Sequence, residues 1–196
     1  MTTELTPAQA RADRDVIEYA AGLTDGDPLQ TIRQRRAGVV EHAQATLRAL
    51  VAPAEPGNLS LVERAALAFR VAVVNAEQQL AAWYRNRLAE VGAPDALITA
   101  VAARPLAGER SAAQPSGPQP LAPPPGDDPI PSRMAVILDH IDRVTVAPGD
   151  VGPEHIRVLE AAGLAEPEIV TVSQIAAFVS YQVRITAGLR EIAALP

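Results

Sequence analysis

Residues 60–91, SLVERAALAFRVAVVNAEQQLAAWYRNRLAEV, decide the reading of this chain. Leu61, Leu67, Val71, Val74, Leu80 and Leu88 recur at intervals that suit one face of a helix. Seven alanines from Ala65 to Ala82 fill the remaining turns with the best helix former, and their small side chains let neighbouring helices come close. Ser60 followed by Glu63 is a capping-box pattern: the hydroxyl accepts from the Glu63 amide while the carboxylate reaches back. Gly92 and Pro94 supply the expected stop. The stretch therefore reads as helix, broken once near Asn75, with much of its surface covered.

Composition narrows what surrounds it. The chain has 196 residues, enough for one sizeable core or two small ones. With a formal net charge of −6 and no Lys/Arg block, nucleic acid is not an expected partner. The one basic cluster, Arg33, Arg35 and Arg36, falls on an expected helix and reads as a solvated face in preference to an anion site. The chain has no cysteine, which removes disulfides, thiolate zinc sites and thiol redox chemistry. No signal peptide and no apolar run near the ~20 residues of a membrane span are recognised, so the expectation is a cytoplasmic protein with no membrane partner.

Outward from the central stretch, Thr6 and Pro7 read as N-cap and first residue of a helix running to about Gly22. A turn at residues 24–28 leads into a second expected helix, about 28–50, with Leu29, Ile32, Val39, Val40, Ala43, Leu47 and Leu50 near one face. A short helix is expected at about 94–103. Residues 105–131 then hold half of the chain's 18 prolines, a composition that reads as an extended linker. Beyond it come expected helices from Arg133, from Pro153 to about Ala162, and from Pro167 to about Leu195. The expected organisation is all-α: an N-terminal unit at 1–104, the linker at 105–131 and a C-terminal unit at 132–196.

A weak internal repeat joins the two units. A shift of 105 residues lays Glu63 over Glu168, Val74 over Val179 and Asn75 over Ser180. Two similar helical units about a pseudo-twofold axis would bury faces that neither covers alone.

The pattern LSxxER, apolar run, Asn, then AAxYRxRL, here Leu59 to Leu88, resembles the carboxymuconolactone decarboxylase/AhpD-like superfamily. The closing run VSQIAAFVSYQVRITAGL, Val172 to Leu189, resembles the C-terminal helix of its peroxidase-related, tandem-type members. The resemblance implies an all-α AhpD-like fold, a homo-oligomer and, in many members, a Cys-x-x-Cys-x-x-x-His redox centre. This chain departs from that centre completely. Anchored on Asn75, the cysteine and histidine positions fall at Glu77, Leu80 and Tyr84; one register back, they fall at Ala76, Gln79 and Trp83. Alkylhydroperoxidase chemistry of the family's usual kind has no thiol here, and a glutamate relay through Glu63 has none to serve.

The decarboxylase branch is similar in lacking the redox pair, and it acts on a small acidic lactone by proton transfer, without a cofactor. Such chemistry needs a positioned acid/base and a cation for the substrate carboxylate. The candidates are Glu77, Glu63 and Tyr84 as catalytic groups, with Arg70, Arg85 and Trp83 for the substrate. A buried carboxylate at Glu77 would have a raised pKa suited to the task. The same Glu77-Gln78-Gln79 run also reads as an exposed helix face, and Trp83-Tyr84 as core or subunit interface. His140 and His155 lack the spacing of a metal site, so neither metal nor cofactor is expected. Arg184, inside the last apolar helix, must reach solvent or pair with Glu63 or Glu77. Two functions follow: a redox-inactive oligomeric helical protein beside a metabolic enzyme, or a cofactor-free lyase or isomerase taking a small acidic metabolite or lactone.

Overall fold

The computed structural model describes residues 15–106 and 128–195, and the fold among them is all-helical. Nine α-helices occur there: α1 Val16–Ala21, α2 Pro28–Gln34, α3 Ala37–Val51, α4 Leu61–Val74, α5 Gln78–Glu90, α6 Asp95–Ala103, α7 Ser132–Val146, α8 Pro153–Ala161 and α9 Glu166–Ala193. A short 3-10 turn, Pro148–Asp150, follows α7. Most of the linker expected at 105–131 lies outside the described residues, as do the expected start at Thr6 and Pro7 and the chain's last residue.

Helix α4 is the centre. Its capping box forms as read: the Ser60 hydroxyl accepts from the Glu63 amide at 3.2 Å, and the Glu63 carboxylate accepts from the Ser60 amide at 2.8 Å. Ala66, Leu67, Ala68, Val71 and Ala72 are fully buried, because α4 packs against α3, α5, α6, α7 and α9. The alanine faces let several helix axes approach it at once, which larger side chains would prevent. The buried apolar side chains of residues 15–106 and 128–195 form one cluster, from Val16 on α1 to Leu189 on α9.

Helix α4 ends where the break was expected. The Ala76 amide donates to the Val73 carbonyl at 2.9 Å and the Glu77 amide to the Ala72 carbonyl at 3.0 Å, the paired bonds of a Schellman motif. That motif needs a left-handed residue, and Ala76 takes it at φ 55°, where a Cβ is unfavourable. Ala76 is exposed, so Ala76→Gly is expected to stabilise the fold by roughly 0.5–1 kcal/mol. Urea unfolding should show a higher midpoint at unchanged slope.

Two helix boundaries differ from the reading. The first helix is not continuous from residue 7: Asp15 is extended (φ −154°, ψ 105°), and its carboxylate caps α1 through the amides of Ile17 and Glu18. The second expected helix is two helices, parted at Arg35 and Arg36. Arg33 bonds Asp15 and Glu18, and Gln30 bonds Glu18 at 2.9 Å, so α2 is tied to α1. Helix α3 must bury Leu47 and Val51 against α4 and α9 instead. The break reconciles the two directions.

Like contacts occur at the starts of the two long helices. The Glu168 carboxylate accepts from the Ala165 amide at 2.8 Å, as Glu63 does from Ser60, 105 residues earlier. Asn58 Nδ2 donates to the Gly163 carbonyl at 3.1 Å, and these two residues also stand 105 residues apart. The correspondence stops at Asn75, because α9 continues unbroken for 28 residues.

Candidate functional site

The groups proposed from sequence sit in separate networks. Glu77 is the N-cap of α5 and is buried; its two carboxylate oxygens accept from Arg190 Nη1 and Nη2, both at 2.7 Å. It is thus the buried carboxylate of the two readings that the sequence allowed, and it is paired with Arg190. Gln78 and Gln79 beside it are exposed. Glu63, the third helical residue of the α4 capping box, also accepts from the Ser60 hydroxyl at 2.8 Å and from Arg133.

Tyr84 is fully buried, and its hydroxyl donates to Gln182 Oε1 at 2.6 Å. Burial pushes that hydroxyl far above the ordinary tyrosine range, with the Gln182 bond opposing in part, so it stays protonated. Trp83 packs edge-on against Tyr84 with centroids 4.9 Å apart, and the Arg87 guanidinium lies 5.0 Å from its ring centre. Arg70 is 2% exposed and forms a two-pronged pair with Asp142 on α7 at 2.7 and 2.9 Å, with a further bond to the Val101 carbonyl. It fastens α4 to α6 and α7. Arg85 is exposed, and so is Arg184, which takes the solvent route of its two expected options.

A cleft of about 390 Å³ lies where the end of α1, the α4–α5 junction and α9 meet. Tyr19, Ala20, Ala21, Gly22, Ala76, Gln78, Gln79 and Arg190 line it; the six candidates from sequence do not. Glu77 touches its margin through Arg190, which also donates to the Ala20 carbonyl. Sequence reasoning passed over Arg190. The signal was there: Gln182, Thr186 and Arg190 follow at helical spacing along α9, a polar continuation of the face that carries Ile175 and Val179.

A second anomaly lies away from the cleft. His140 on α7 is 4% exposed, and neither ring nitrogen has a hydrogen-bond partner. Burial, then the nearby His155 and Arg143, push its pKa down to about 4. Among the described residues no group of three or more His, Cys, Asp or Glu side chains could hold a metal ion, and no helix is long and apolar enough to cross a membrane. Comparison with protein-family models, curated proteins and solved structures found no match for this chain.

Proposed function

We propose that this chain is a redox-inactive, AhpD-like helical protein that assembles with itself and acts beside a metabolic enzyme. One observation carries the reading: the acids, bases and buried cation proposed for chemistry are saturated by internal partners. Glu77 is held by Arg190, Glu63 by Ser60 and Arg133, Arg70 by Asp142, and Tyr84 by Gln182. Groups so held work as fasteners, since a general acid or base must be within reach of a substrate proton. The absence of cysteine argues against peroxidase chemistry. The paired caps at Glu63 and Glu168, and the Asn58–Gly163 bond, support the tandem-type resemblance. Exposed Ile32 and Val39, close in sequence on α2 and α3, support an assembly that covers them.

A second reading, cofactor-free chemistry on a small acid or lactone, is favoured by the cleft bordered by the Glu77–Arg190 pair. Native mass spectrometry with and without a metabolite extract tests both. The expected result is a defined homo-oligomer with nothing retained. A monomer overturns the assembly, and a retained small organic acid shifts the conclusion to the second reading.

A further inference from the structure

We propose that the outer face of α9 is an interface between two copies of this chain, in which α9 lies antiparallel to the partner's α9 and Glu166 meets the partner's Arg184. This interface rests on the self-assembly proposed above and gives it a particular face.

Helix α9 buries Val172, Ile175, Val179 and Leu189 on its inner side. Its other side faces water: Glu166, Ala177 and Arg184 are exposed, as is Val170 at 48%. A solvated helix face normally carries charge. The shorter helices follow that rule, with exposed Glu41 and Arg48 on α3, Arg85 and Glu90 on α5, and Arg157 and Glu160 on α8. On α9 the 15 residues 169–183 hold no charged side chain, although 20% of the chain is charged. A middle depleted of charge between polar ends is the pattern of an association surface.

A second copy fits because the seam is complementary to itself. Glu166, Val170, Ser173, Ala177, Ser180 and Arg184 follow at alternating steps of four and three, the spacing of a helix-pairing seam. These positions are symmetric about residue 175. Antiparallel pairing on a twofold axis there sets Val170 opposite the partner's Ser180 and Ser173 opposite the partner's Ala177. Glu166 then faces the partner's Arg184, and the symmetry makes every contact twice. Parallel pairing would set Glu166 against the partner's Glu166, so charge selects the antiparallel arrangement.

The side chains along the seam suit such a contact. Neither the Glu166 nor the Arg184 side chain makes a hydrogen bond or ion pair among the described residues, so both are free to engage a partner. Small residues in the middle let two helix axes approach closely. The Ser173 hydroxyl already donates to the Ile169 carbonyl at 3.1 Å, so covering it strands no donor. Tyr181, stacked on Phe178 with ring centres 6.3 Å apart, flanks the seam with a fixed aromatic ring.

The test is analytical ultracentrifugation of the full-length protein across a concentration series. The parent is expected to self-associate. Glu166→Arg and Arg184→Glu, each made alone, put like charges together twice per dimer and are expected to weaken association at least tenfold. The double variant Glu166→Arg, Arg184→Glu restores opposite charges and is expected to return to within about threefold of the parent. Ala177→Arg, in the middle of the seam, is expected to give a monomer. All three positions are exposed, so melting followed by circular dichroism should match the parent and separate lost association from lost folding. Association unchanged by Ala177→Arg, single reversals without effect, or a double variant no better than the singles overturns this interface. Those outcomes leave self-assembly standing through another face, whereas a monomeric parent overturns both.

Discussion

Asp142→Ala is expected to destabilise the protein by about 3–5 kcal/mol, the largest effect of any single polar substitution here. Arg70 and Asp142 are 2% and 1% exposed, and the pair joins α4 to α7. Removing the acid leaves the Arg70 guanidinium buried without its counter-charge. It also strips a favourable charge from Arg104, whose pKa is lowered by burial and by Arg70 and is raised by Asp142. Desolvation of a lone buried cation is what makes such a deletion costly, more than the loss of two hydrogen bonds. The double variant Arg70→Met, Asp142→Leu should recover most of the loss, because apolar groups of similar volume carry no desolvation cost. Urea unfolding followed by far-UV circular dichroism gives both values. A double variant as unstable as Asp142→Ala would show that the pair contributes specific geometry beyond charge balance.

Acidification is expected to remove up to about 3 kcal/mol through His140 alone. Its folded pKa of about 4 lies below the ordinary 6.5, chiefly because burial desolvates the charged ring, then because His155 and Arg143 would repel the charge. The unfolded chain therefore binds the proton first. The contribution is complete above pH 6.5 and is lost progressively as pH falls through 6.5 towards 4. Asp139 and Asp142, on the same helix, do not compensate, since they bond Arg104 and Arg70. Protonation should loosen α8 from α7, because His155 sits in the first turn of α8, where Nδ1 accepts from the Gly152 amide at 3.0 Å. His140→Leu should flatten the slope of stability against pH across this window relative to the parent. Equal slopes in the two proteins would place the acid sensitivity elsewhere.

How far the fold was legible depended on whether a residue's role was local. The capping box at Ser60 and Glu63, the break after Asn75 and the stop at Gly92 are all readable, because each is set by a few neighbouring residues. The all-α class followed from the same local periodicity. The split at Arg35–Arg36 was not readable: nothing in the local pattern says that α2 must follow α1 while α3 follows α4 and α9. For the candidate site the limit was sharper. Glu77, Tyr84 and Arg70 are the residues that the family resemblance brings forward, yet their partners Arg190, Gln182 and Asp142 lie 113, 98 and 72 residues away.

By itself, then, the sequence determined the helical class, the places of the main caps and the lack of thiol chemistry, since these rest on residue type and short-range spacing. Tertiary structure alone decided which charges face each other. A buried ion pair depends on the crossing of helices distant in the chain, and that crossing turned candidate catalytic groups into fasteners while placing an arginine unmarked by any motif in the open cleft.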